Sequence, residues 1–290
     1  MTRTARSRRA HLVGALVVAV VAAGCDLPES DGGEIVVTTD DRIEEVRAAR
    51  EALAEPVPAV VGGAERLVEA LERVWTEEAT SGERAALAEA LRLDPFDEAI
   101  GTLAAVDLEG NGPDVAAAQA HVDDLVDTGR ALLSDVQDEL SSVTALPAFD
   151  QQLEELLAGW DARGSYSQQL NAFEELAADA EALAASARER RATPSCVGVW
   201  ERRTEAAGVV ASRTLELRDL IRDRRGQEFD DLRDTFRQDP YGLGELLGVL
   251  DARAAADCWE DASTAPDAVA QLQTHLEDLT SALDPADLQG

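Results

Sequence analysis

Histidine is the residue here best suited to proton or metal chemistry, and the 290-residue chain holds three: His11, His121 and His275. The last two sit in matching surroundings, Gln119-x-His121-Val122-Asp123-Asp124-Leu125 and Gln273-x-His275-Leu276-Glu277-Asp278-Leu279. An imidazole near carboxylates can ligate a divalent cation or pass a proton. His121, His275, Asp124 and Asp278 are therefore the candidate metal residues. Asp123 and Asp127, one helical turn apart, extend the first set, but the second copy has Glu277 and then Ser281. One imidazole does not make a zinc site. The expectation is a histidine at the edge of the core pairing with Asp124 or Asp278, with weak divalent cation binding at most.

Other chemistry is thin. Asp107-Leu108-Glu109-Gly110-Asn111-Gly112 has the first half of a calcium loop. Its seventh position is Pro113 and its twelfth, which should be a bidentate Glu, is Ala118, so it reads as a turn into a helix. No nucleophile elbow, zinc-protease helix, P-loop or dinucleotide fingerprint occurs. Carboxylates are abundant enough to supply a glycosidase-like pair, but eleven aromatic residues are few for a sugar cleft. Trp75, Trp160, Trp200 and Trp259 are expected to fill gaps between alanine-rich helices. No catalytic residue and no cofactor is assigned.

The N-terminus carries more information. Arg3, Arg6, Arg8 and Arg9 precede an apolar run from Leu12 to Ala23, then Gly24 and Cys25. That run has signal-peptide length and is short for a bilayer span. Ala22-Ala23-Gly24-Cys25 resembles the lipobox of bacterial lipoprotein precursors, with Ala22 where Leu is most usual. The resemblance covers residues 1–25 only. It implies cleavage after Gly24 and diacylation of Cys25, which two acyl chains would make a stable anchor. Ser7-Arg8-Arg9-Ala10-His11-Leu12-Val13 also resembles a twin-arginine export motif, without its usual Phe and Lys; a plain positive region is the simpler reading. With Cys25 lipidated and the chain exported, Cys196 and Cys258 are expected to form a disulfide, the alternative being two buried thiols.

The elements that must position these residues read as helices. Fifty-two alanines and thirty-five leucines against four isoleucines disfavour a β-rich fold. The clearest helix runs from Pro113 to about Val143, with Val115, Ala118, Val122, Leu125, Gly129, Leu132, Val136, Leu140 and Val143 spaced by three and four. Shorter stripes are Ile43, Val46 and Leu53; Val60, Leu67, Leu71 and Val74; Leu87 and Leu91; Phe96, Ile100 and Leu103. Phe149 to Trp160 and Tyr166 to Leu183 follow. Cys196 to about Phe236 continues helical with a weak point at Gly226, and Leu243 to Trp259 and Val269 to Leu283 complete the pattern. The fold class is all-α, an elongated helical bundle with short connections.

An internal repeat organises it. Arg92-x-Asp94-Pro95-Phe96 returns as Arg237-x-Asp239-Pro240-Tyr241, and the two histidine segments follow in the same order. Two DP-aromatic elements and matched histidines favour duplication over chance. The expected organisation is a signal peptide (1–24), a lipid-anchored flexible tether (25–41), helical unit 1 (42–145), intervening helices (146–193) and a related helical unit 2 (194–285).

Charge narrows the function. Fifty-eight acidic residues against 26 basic ones, all arginine, give −32. Phosphate backbones and anionic lipid surfaces repel such a chain, which excludes nucleic acid as a partner and holds the domain off the membrane. The expectation is a lipid-anchored protein on the extracytoplasmic face of the cell membrane. Its role is expected to be non-catalytic: an envelope scaffold or protein-interaction module with an envelope protein partner. Alternatives are a solute- or cation-binding lipoprotein serving a transporter and, more remotely, an envelope hydrolase.

Overall fold

Proline and threonine set the helix starts. The computed structural model describes residues 39–76, 79–108, 113–161, 163–190, 197–238, 259 and 263–284. α1 (Thr39–Leu53) ends just before the Pro56-Val57-Pro58 stretch, whose first residue opens α2 (Pro56–Thr76). α3 (Ser81–Ala90) begins at a reciprocal cap: Glu83 N–H donates to the Thr80 hydroxyl, and the Thr80 backbone N–H donates to the Glu83 carboxylate at 2.8 Å. Donation from the Thr80 backbone N–H foremost, and from the Thr80 hydroxyl at 2.9 Å, holds the Glu83 carboxyl below its ordinary pKa. Thr80→Ala should lower stability by about 1 kcal/mol, read as a shifted urea midpoint; an unchanged midpoint would show that the cap contributes nothing.

α4 (Asp94–Ala104) and α5 (Pro113–Thr144) follow, and both carry a proline in the first turn, where its missing N–H is harmless. α6 (Leu146–Gly159), α7 (Tyr166–Arg190), α8 (Val197–Arg222), α9 (Gly226–Gln238) and α10 (Ala265–Ala282) complete the described helices. No strand occurs among the described residues. The fold is an all-α helical bundle.

α5 is its axis. Every residue of its predicted apolar stripe from Val115 to Val143, Gly129 included, faces inward. α10, α3 and α4 pack along it, and α1 and α2 touch it. Two glycines permit close approaches here. A Cβ on Gly63 would lie 2.9 Å from the Phe96 ring, and one on Gly129 would lie 3.2 Å from Ile100. So α2, α4 and α5 meet nearly backbone to side chain.

α7 and α8 form the most extensive helix pair, and α6 links them to α3 and α5. Their buried faces are rich in small residues: Ala177, Ala180, Ala184 and Ala187 on α7, Ala206, Ala207 and Ala211 on α8. Large stripe residues do less than expected here, since Tyr166 is exposed and Leu170 and Leu176 are half-buried. Alanine ridges let two helix axes come close, and close axes leave no room for larger side chains. The four tryptophans are buried, Trp75, Trp160 and Trp200 almost wholly.

α8 stops at a left-handed residue. Arg225 N–H donates to Leu220 O at 2.9 Å and Arg224 N–H donates to Ile221 O at 3.0 Å, the paired closure of a Schellman motif. The position that usually takes glycine holds Arg224, with φ 58°. The break therefore falls just before Gly226, which starts α9 rather than interrupting a helix. Arg224 stacks 5.6 Å from the Tyr166 ring, whose hydroxyl donates to Arg222 O at 3.0 Å. Arg224→Gly should relieve about 1 kcal/mol of strain and lose about 0.5 from the exposed stack, for a small net gain in melting temperature. A clear loss of stability would mean that the stack outweighs the strain.

The described helices belong to one compact unit, Thr38–Gly290. α10, expected to close the second repeat, lies against α5 and α2. The Thr264 hydroxyl donates to Asp135 and His275 approaches Asp124, so one antiparallel register relates α10 and α5. In that register the two repeated histidine segments lie opposite each other. The DP-aromatic element of the second repeat and most of the expected helix from Leu243 to Trp259 lie outside the described residues.

Candidate functional site

The two histidines sit on facing helices. His275 Nδ1 lies 3.8 Å from Asp124 Oδ2, across the α5–α10 seam. Sequence spacing pairs each histidine with a near neighbour; the pairing seen for His275 crosses between helices. His121 is half-buried, and its Nδ1 has no hydrogen-bond partner. Among the described residues no three His, Cys, Asp or Glu side chains are grouped to hold a metal ion. At the start of the calcium-like loop Leu108 N–H donates to Gln119 Oε1 at 2.8 Å, and residues 109–112 lie outside the described set. Cys25, Gly24, Cys196 and Cys258 lie outside it too. No described helix is long and apolar enough to cross a membrane.

Three buried polar clusters go beyond what the residue spacing suggests. The first joins four helices. Arg203 on α8, 1% exposed, forks onto Asp150 on α6 with two bonds of 3.0 Å. Its guanidinium lies 5.8 Å from the Trp200 ring and that of Arg190 on α7 lies 5.4 Å from it. Phe149 meets the same ring edge-on at 5.7 Å. The Trp200 indole N–H donates to the Ser142 hydroxyl on α5. A planar fork that matches a carboxylate and also stacks on an aromatic face requires arginine.

The second cluster is Arg84 on α3, also 1% exposed. Its guanidinium donates to Val74 O at 2.6 Å and Trp75 O at 2.8 Å. Those carbonyls lie in the last turn of α2, where a cation complements the helix dipole. The third is Glu139 on α5, 3% exposed, with Oε1 unpartnered. Burial pushes its carboxyl up to about 7 from its ordinary 4.5. The Trp75 indole N–H, nearby but short of hydrogen-bonding geometry, offsets part of that shift, and the Asp135 charge adds a little.

A signal for all three is present in the sequence. Arg84, Glu139 and Arg203 each fall on the apolar period of their helix: Arg84 four before Ala88, Glu139 three after Val136, Arg203 four after Val199. A charge on such a stripe must be paired or neutral.

These clusters are closed on themselves. One open feature is a groove of about 430 Å³ between α2, the end of α3 and the start of α4. Leu67, Leu87, Leu91 and Phe96 lie along it, with Arg66, Arg73 and Arg92 at its sides. The leucine stripe predicts that Leu87 and Leu91 face the core. Leu91 does pack half-buried on the core, but Leu87 does not: Arg84, Ala85 and Ala88 take the inner face of α3, where Arg84 reaches the end of α2. That rotation leaves Leu87 38% exposed.

Comparisons with family models, with curated proteins and with solved structures give no match to this chain.

Proposed function

We propose that this protein is a lipid-anchored, extracytoplasmic interaction module without catalytic activity. The anchor reading rests on the lipobox-like Ala22-Ala23-Gly24-Cys25 behind an arginine-rich start and an apolar run. The disulfide between Cys196 and Cys258 belongs to the same reading, since it requires export. The observation that carries the interaction role is the open groove beside α2. The Arg203–Asp150 ion pair and the Trp200 indole N–H are used up in joining helices, whereas the groove presents apolar surface and exposed positive charge to solvent.

The test is cross-linking on intact cells, followed by purification and mass spectrometry. One reproducible envelope protein is expected to accompany the chain. Its absence across several cross-linker lengths would overturn the interaction role. The anchor is tested separately: the Cys25→Ser chain should leave the membrane fraction, and its retention there would argue against lipidation.

A further inference from the structure

Resting on that interaction reading, we infer that the groove between α2, α3 and α4 docks an acidic amphipathic helix of another protein. The floor supplies the first half of the fit. Leu87 is one of two large hydrophobic residues left exposed among the described residues, and it lines the groove beside half-buried Leu91. Below them Leu67 and Phe96 are buried, so an apolar strip continues from core to solvent.

The walls supply the second half. In a chain with 58 acidic and 26 basic residues, the charged side chains lining this groove are Arg66, Arg73 and Arg92, with no acid among them. Arg66 makes no ion pair among the described residues. Arg73 leans toward Glu69 at 3.7 Å, and Arg92 pairs with Asp94 at 3.0 Å. Both pairs are well exposed, so water screens them and each is readily exchanged.

The spacing of the charges chooses the occupant. Arg66 and Arg73 stand seven residues apart on one face of α2, about 10 Å along its axis at 1.5 Å per residue. A helix carrying Asp or Glu at i and i+7 repeats that spacing, and places apolar residues at i+3 and i+4 over the leucine floor. A single-headed amphiphile such as a fatty-acid anion would answer one guanidinium and make no use of the other two. A long polyanion would meet the negative field of the rest of the chain and gain little from the apolar floor.

The test pans a displayed peptide library over the immobilised full chain and, in parallel, over the Arg66→Glu/Leu87→Asp double variant. Both side chains are at the surface, and matching thermal melts confirm that the variant is folded. The wild type should enrich sequences with acids at i and i+7 around an apolar i+3/i+4 pair. Selected peptides, resynthesised, should bind the variant about tenfold more weakly and weaken with added salt. Failure to enrich such sequences, or equal binding to the variant, would overturn the assignment. So would laurate binding with the same dependence on Arg66, which would give the groove to an amphiphile. Sedimentation showing that wild-type chains pair with each other, and variant chains do not, would give it to a second copy. If a cellular partner cross-links equally to the double variant, the groove assignment fails while the interaction reading stands.

Discussion

Replacing Glu139 with Gln should stabilise the protein by about 3 kcal/mol at pH 8 and by almost nothing at pH 4. The buried carboxyl titrates at about 7 in the folded chain and at its ordinary 4.5 once unfolded. Between those values the folded protein holds a proton that the unfolded chain has released. Stability therefore falls as pH rises through this window. The contribution of Glu139 is intact below 4.5 and lost above about 7, where an unpaired charge must stay in the core. Gln has nearly the same shape and no charge at any pH, so the difference between the two proteins isolates this residue. It does so even though the chain as a whole, at −32, also gains stability on acidification as its self-repulsion falls. The measurement is urea unfolding of both proteins at pH 4, 6 and 8. Parallel stability curves would falsify the assignment of a raised pKa to Glu139.

Asp150→Ala is expected to cost about 3–5 kcal/mol, more than Arg203→Ala. The asymmetry follows from burial. Arg203 is 1% exposed and Asp150 is 21% exposed. Removing the aspartate leaves a buried guanidinium among Trp200, Phe149 and Val199 without the carboxylate it forks onto. Removing the arginine leaves a carboxylate that water can reach, together with a cavity beside Trp200. Replacing both by leucine should recover most of the loss, because the buried pair's desolvation cost is then gone. The check is a double-mutant cycle by urea unfolding. If the two single variants are equally destabilised, the ion pair does not govern stability at this junction.

The groove and these junctions differ in how far they can be read from residues alone. The long stripe from Val115 to Val143 predicts α5 nearly to the residue, because apolar side chains recur every third or fourth position along its whole length. The turn at Asp94-Pro95 and the start at Pro113 are legible for the same local reason: proline suits a first turn and little else in a helix. Leu87 and Leu91 show where such reading stops. Their spacing marks a stripe but does not say which face the helix turns inward. Arg84 decides that, by reaching two carbonyls at the end of a helix about ten residues upstream.

What the sequence determined by itself was helical class, the helix starts marked by proline, and the long buried stripe of α5. These depend on period and on capping residues, which are properties of neighbours along the chain. Tertiary structure alone decided that α10 runs antiparallel to α5, that His275 meets Asp124 rather than a near neighbour, and that Arg203 finds Asp150 53 residues away. It also left Glu139 without a hydrogen-bond partner for one oxygen. The reason is physical. Periodicity fixes which side chains leave water, but the partner of a buried charge is set by which helices cross there, and that crossing is chosen by alanine and glycine contacts spread over the whole bundle.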